Sequence, residues 1–309
     1  MSNNHPLVCR VVVQHRGSWT VDTDSGTVRI LLNCAEERPV TGDWVEVDER
    51  VERIVAVRPR RSRIVRKEAG ARAVEQVLAA NVDVAFVVLG LDGDFNVRRL
   101  ERYLAMVWES GARPCVLLNK ADLCVDCGRR KAQAQAAAPG VEISLLSALN
   151  EDPLGVLSRF VAPGETAVLL GSSGVGKSTI VNRLLQQEKQ ATAPVREHDH
   201  RGRHITVRRE LVKLKAGWWL MDLPGLREIQ LWVDGDGLQR TFSDIEALAA
   251  YCRFRDCRHA GEPGCAVVAA IAPERLESYQ RLGQEIRTLD KRRLKRIHKE
   301  YRDILKKRW

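Results

Sequence analysis

The stretch L-G-S-S-G-V-G-K-S-T, residues 170–179, constrains this chain more than any other. Gly171 to Ser178 fits the eight-position pattern G-x-x-x-x-G-K-[S/T], and it stands between an apolar run and a helix-forming run. A phosphate-binding loop needs that setting. Gly171, Gly174 and Gly176 free the backbone so that the N–H groups of Ser172, Ser173 and Val175 can wrap phosphate oxygens. The helix N-terminus then favours negative charge, as Lys177 reaches the β and γ groups and Ser178, followed by Thr179, offers a hydroxyl to Mg2+.

A phosphate loop does not choose its base. About fifty residues earlier the chain reads Asn119-Lys120-Ala121-Asp122, at the end of the apolar run P-C-V-L-L. A carboxylate there can accept two hydrogen bonds from the ring N–H and the exocyclic amine of guanine, a donor pair adenine lacks. The wrong base would strand a desolvated carboxylate, so discrimination can be large. Ser147-Ala148, after the next apolar run, can add backbone and hydroxyl contacts to the base. Asp222-Leu-Pro-Gly225 follows W-W-L-M and supplies a second carboxylate for Mg2+ and a glycine at the γ-phosphate; Thr206 is the candidate switch threonine, with Thr192 placed in the same loop.

The order of these motifs is base loop, second base loop, phosphate loop, switch threonine, D-x-x-G. An ordinary GTPase begins with the phosphate loop. An α/β sheet tolerates circular permutation when its old termini are close and the new break falls in a loop, so the order describes a GTPase cut between its third and fourth motifs. Near-continuous apolar runs alternate with helical stretches from Val82 to Asp234, as in a parallel sheet covered on both faces. The expected strands are 82–90, 114–119, 141–147, 165–171 and 218–222. Helices are expected over 97–110, 129–138 and 177–187, and a loop over 192–204.

Before this region, residues 7–58 read as short strands (7–14, 26–33, 43–48 and 51–58) separated by turn residues, which suits a small OB or SH3-like barrel. After it the chain turns helical. Cys252, Cys257, His259 and Cys265 offer three thiolates and one imidazole within fourteen residues, the ligand set of a closed tetrahedral zinc site. Cys124 and Cys127 have no second pair beside them and read as incidental thiols, and Cys9, Cys34 and Cys115 as core residues. The net charge of +10 implies an anionic partner. Residues 286–309 carry eleven Lys or Arg against three acids, and residues 58–67 six against none. RNA phosphate is the natural target of a barrel plus a basic helix. No secretory signal or membrane-length apolar run is present, so a cytoplasmic protein with no membrane partner is expected.

With its barrel, N-K-A-D, G-S-S-G-V-G-K-S-T, D-L-P-G-L-R-E and C-R-F-R-D-C-R-H-A-G-E-P-G-C, the chain resembles over nearly its whole length the circularly permuted, small-subunit-dependent GTPases called RsgA or YjeQ. The resemblance implies an OB-fold barrel (1–70), a permuted P-loop GTPase domain (71–235) and a zinc-bearing helical domain with a basic terminal helix (236–309). It also implies GTP hydrolysis on the small ribosomal subunit and its rRNA, late in that subunit's maturation; a monomer is expected. Leu226 stands where many GTPases have a water-orienting glutamine, which predicts slow turnover until an activator docks. In the family a histidine before the switch threonine is thought to help, and His204 is the matching residue. The family's run of threonines is replaced by Ile205-Thr206-Val207, which leaves Thr206 to supply the hydroxyl. The alternative is an rRNA-binding module in which GTP is only a structural or sensory ligand.

Overall fold

The computed structural model describes residues 7–31, 37–67, 75–192, 210–222 and 235–288. Five short strands come first: β1 (Leu7–His15), β2 (Ser18–Thr23), β3 (Gly26–Leu31), β4 (Trp44–Val47) and β5 (Ile54–Val57). β1 pairs antiparallel with both β2 and β4, β2 with β3, and β4 with β5, around a separate core of Cys9, Val11, Trp19, Val21, Ile30, Val45, Val47 and Ile54. The sequence reading missed β2. Its only apolar residues are Trp19 and Val21, and their alternation is too short to stand out from the turns on either side. Cys9 and Cys115 are core residues as expected, whereas Cys34 lies outside the described residues.

A hairpin follows, β6 (Arg63–Lys67) with β7 (Glu75–Ala80). Part of the basic 58–67 segment is therefore strand. β7, E-Q-V-L-A-A, consists of helix formers apart from Val77 and becomes a strand because β6 offers it an edge to pair with.

The nucleotide-binding layer consists of β8 (Val84–Gly90), α1 (Val97–Ser110), β9 (Arg113–Asn119), α2 (Cys127–Ala137), β10 (Glu142–Leu146), α3 (Pro153–Leu157), β11 (Thr166–Leu170), α4 (Lys177–Thr192), β12 (Glu210–Lys213) and β13 (Trp219–Asp222). The neighbour order is β10-β9-β8-β11-β13-β12, continuing into β1-β2-β3. All contacts from β10 to β13 are parallel; β12 is antiparallel, so the sheet is mixed and not wholly parallel as expected. β12 escaped the reading because E-L-V-K offers two apolar residues. The helix begun at Lys177 runs on to Thr192, five residues past its expected end at 187, since Q-Q-E-K-Q-A has no Gly or Pro to stop it; beyond Thr192 the loop expected over 192–204 lies outside the described residues.

The chain steps outward from β8 to β9 and β10, then returns to place β11 on the other side of β8. Ligands of open α/β sheets bind at such a reversal, outside the carboxyl ends of the strands. α1 and α2 cover one face and α3 and α4 the other. Beyond residue 235 come α5 (Asp236–Thr241), α6 (Ser243–Ala249), α7 (Ala266–Ala270) and α8, residues 273–288. Their apolar residues, Phe242, Ile245, Val267, Leu276, Leu282 and Ile286, join the core on the α1 side. One polar cluster fixes that junction. Arg275 of α8 donates to Asp244 (2.6 and 2.7 Å) and to Glu101 of α1 (2.8 Å), which also accepts from Ser278.

The five N-terminal strands are joined to the nucleotide-binding layer through β1 and β12 at Val13 and Glu210. Arg10, 4 % exposed, donates to Thr166 Oγ1 (2.5 Å) and the Asn81 carbonyl (3.3 Å), with its guanidinium 5.2 Å from the Trp44 ring and 5.6 Å from that of Trp219. Burial lowers its pKa to about 10, which leaves it charged at neutral pH. No helix among the described residues is long and apolar enough to cross a membrane.

Candidate guanine-nucleotide site and metal centre

The phosphate loop leaves β11 at Gly171 (φ +148°), passes Gly174 (φ +85°) and enters α4 from Gly176 (φ +100°). Two of these glycines are also required by space. A Cβ on Gly171 would lie 2.4 Å from the Val88 carbonyl oxygen, and one on Gly176 would lie 2.2 Å from Nδ2 of Asn119. Lys177 Nζ donates to the carbonyls of Gly171 (2.7 Å) and Ser172 (2.5 Å), which holds the ammonium across the mouth of its own loop. Ser178 and Thr179 lie in the first turn of α4, and Ser173 lines a cleft of about 680 Å³ beside the loop.

Asn119, 2 % exposed, is the knot of the site. Its amide donates to the Val175 carbonyl (2.8 Å) and its carbonyl accepts from Ala148 N–H (3.0 Å). One side chain thus binds the phosphate loop to the second base loop, across residues from three parts of the sequence. Lys120 takes the left-handed conformation (φ +63°) and begins a 3-10 turn over Ala121–Leu123, and its Nζ lies 2.5 Å from Asp92 Oδ2. Asp122 accepts from Ser147 Oγ (2.6 Å), which fixes the carboxylate's position and leaves its second oxygen for a ligand. Asn119, Lys120, Ala121, Asp122, Ser147, Ala148 and the loop from Gly171 to Ser178 therefore meet at the carboxyl ends of β9, β10 and β11.

Asp222 closes β13, the parallel neighbour of β11, so its backbone sits at the same edge as the phosphate loop; its side chain lies outside the described residues. Thr206, His204, Gly225 and Leu226 also lie outside them, as does the basic stretch past residue 288.

Two residues that sequence reasoning missed flank this site. Asp94 accepts from Ser172 Oγ (2.7 Å), and Arg99 donates both to Asp94 (2.7 Å to each oxygen) and to Ser172 (2.9 Å). Asp92 is the third omission. The acidic turn D-G-D directly after β8 was the available signal, but nothing in the linear order says which loops it faces.

In the C-terminal part, one ligand atom from each of Cys252, Cys257, His259 and Cys265 lies within 4.8 Å of all the others. Zinc bonds of about 2.3 Å to sulfur and 2.0 Å to nitrogen, at tetrahedral angles, set ligand atoms roughly 3.5 to 3.8 Å apart. The structure has 3.9 Å between the sulfurs of Cys252 and Cys265, and 3.7 and 3.4 Å from these sulfurs to His259 Nδ1. The donor set and its spacing fit zinc. Cys265 caps α7, accepting from Val268 N–H, and His259 has φ +56°. Glu262 holds the turn by accepting from the amides of Arg258 (3.0 Å) and Ala260 (2.7 Å); its own backbone N–H first, then those of Ala260 and Arg258, pull its pKa to about 2. Gln280 of α8 donates to the His259 carbonyl (2.7 Å), so the ligand loop is fastened to that helix. Cys124 and Cys127 do not belong to this cluster.

Comparison with known proteins agrees with this geometry. Residues 57–232 match the family model described as RsgA GTPase. A protein of Vibrio parahaemolyticus named small ribosomal subunit biogenesis GTPase RsgA 2 is 42 % identical over 287 residues, covering 91 % of this chain and 80 % of the relative. A small ribosomal subunit biogenesis GTPase RsgA of Methanosarcina acetivorans is 42 % identical over 317 residues, covering 98 % and 84 %. The crystal structure of YloQ, a circularly permuted GTPase, superposes with a TM-score of 0.67 at 23 % identity over 93 % of this chain and 97 % of that one, a likeness of fold. By its motif order, its permuted sheet and these matches, the chain belongs to the RsgA GTPase family.

Proposed function

We propose that this chain hydrolyses GTP on the small ribosomal subunit, slowly when alone and faster when docked, and acts in the cytoplasm late in that subunit's maturation. The observation that carries the nucleotide half is Asn119, bonded at once to Val175 of the phosphate loop and to Ala148. That strut ties the loop that would hold the phosphates to the one that would meet the base. In this reading Asp122 accepts the guanine donor pair and the Ser147-Ala148 segment contacts the base. Lys177 and the N–H groups of residues 172–177 neutralise the phosphates, and Ser178, Thr206 and Asp222 would hold Mg2+. Bound Mg2+ would supply charge neutralisation between the β and γ groups. Gly225 senses the γ-phosphate and His204 assists the attacking water. Leu226 cannot polarise that water, which is why turnover should depend on an activator.

The ribosomal half is supported by the names of the relatives, by the net charge of +10 and by the two basic segments. Zinc held by Cys252, Cys257, His259 and Cys265 would act as a structural fastener, since four protein ligands leave no open position. The organisation we adopt is a barrel over 1–70, a GTPase domain over 71–235 and a zinc domain over 236–309, in a monomer. The D-x-x-G motif then feeds directly into the zinc domain, which couples nucleotide state to an RNA-facing surface. Co-sedimentation with purified small subunits tests this: binding should be strong with a non-hydrolysable GTP analogue, weak with GDP and steeply salt-dependent. Equal binding in both states would overturn the nucleotide-gated reading.

A further inference from the structure

The turn between β8 and α1, residues 91–96, touches both halves of the nucleotide site. Leu91 N–H donates to the Asn119 carbonyl (2.8 Å), Asp92 takes the ammonium of Lys120 at 2.5 Å, and Asp94 takes Ser172 Oγ at 2.7 Å. The turn is itself fixed: Asp94 N–H donates to Asp92 Oδ1 (3.2 Å), and Asn96 caps α1 by accepting from Arg99 N–H (3.0 Å). Arg99, one turn into that helix, closes the arrangement on Asp94 and Ser172.

We propose that residues 91–96 are a positioning clasp for the GTP site, with Asp92 setting the base loop through Lys120 and Asp94, backed by Arg99, setting the phosphate loop through Ser172. The two carboxylates do different work. Asp92 acts on a loop that meets the part of the nucleotide shared by GTP and GDP. Asp94 acts on the residue whose carbonyl carries Lys177 at 2.5 Å, and Lys177 matters most where charge develops between the β and γ phosphates. Both carboxyls are held below the usual Asp range, Asp92 first by Lys120 and Asp94 first by Arg99 and then Ser172, so both are ionised at neutral pH.

The inference rests on the GTP-hydrolysis reading, and the test separates the two. In the full-length chain, Asp92→Ala should weaken GTP and GDP binding by the same factor, roughly three- to tenfold for a charged hydrogen bond about one third exposed. Asp94→Ala should lower stimulated kcat by roughly tenfold and change the GDP Kd less than twofold. Asp92→Asn and Asp94→Asn keep an acceptor oxygen and should recover most of each loss. A merely structural turn would show no such split: parallel losses of kcat and affinity accompanied by a lower Tm, or no effect of either alanine, would overturn the clasp. If the unaltered chain fails to hydrolyse GTP with small subunits, the functional reading falls. The Asp92 arm, read from fluorescent GDP binding alone, still decides whether the turn positions the base loop.

Discussion

Arg275→Met is the most informative perturbation of the scaffold. It leaves the Glu101 carboxylate, 2 % exposed, with the Ser278 hydroxyl as its described partner, between a helix of the nucleotide layer and a helix of the C-terminal part. Removing one member of a buried ion pair costs about 3 to 5 kcal/mol, because the remaining charge cannot return to water. Asp244, about one third exposed, can rehydrate and should add little. The expected loss is therefore about 3 kcal/mol, read from urea unfolding followed by a probe of the C-terminal part. Burial already raises the Glu101 pKa. A carboxyl whose folded pKa is raised destabilises the fold above that pKa and ceases to do so below it. The variant's deficit should thus shrink as the pH falls into the carboxylate range, and Glu101→Gln in the same chain should recover most of it at neutral pH. A loss below about 1 kcal/mol, or a double variant no more stable than the single one, would refute the argument that a buried charge pins these helices together.

Three further outcomes follow from the site. Gly176→Ala puts a Cβ 2.2 Å from Asn119 Nδ2 at φ +100°; strain plus two disturbed hydrogen bonds, about 3 kcal/mol together, should weaken GTP binding roughly a hundredfold in calorimetry. Asp122→Ala should reduce GTP affinity about 10- to 100-fold and leave weak ATP binding unchanged, measured by competition with a fluorescent nucleotide. Cys257→Ser should abolish the one zinc ion per chain expected from metal analysis and lower the Tm, while nucleotide affinity stays within about threefold.

What could be read from the sequence divides along physical lines. Strands buried on both faces, such as β8, announce themselves as unbroken apolar runs, and α1 spans the expected 97–110, where the structure shows an Asn96 cap and a left-handed Gly111 at its end. The phosphate loop, N-K-A-D and the cysteine cluster were legible because each is a local pattern with its own chemistry. β2, β7 and β12 were not, since short or helix-prone segments become strands only when a partner edge is present. Asp92, Asp94, Arg99 and the Arg275 cluster were hidden for the same reason. Their partners lie 28, 78, 73 and 174 residues away, and no local pattern encodes such a pairing. The displaced phosphate loop is the clearest case of order in sequence differing from order in space. β11 returns to the centre of the sheet, so a motif that arrives second along the chain stands between β8 and β13.

Phosphate release from GTP and from ATP, with and without purified small ribosomal subunits, is the measurement closest to the central claim. The account predicts slow GTP hydrolysis by the chain alone, a rise of at least tenfold with small subunits, an effect typical of a supplied or ordered catalytic group, and no comparable rise with ATP. A rate that small subunits leave unchanged, or raise equally for ATP, would contradict it and favour an RNA-binding module in which the nucleotide is a structural or sensory ligand.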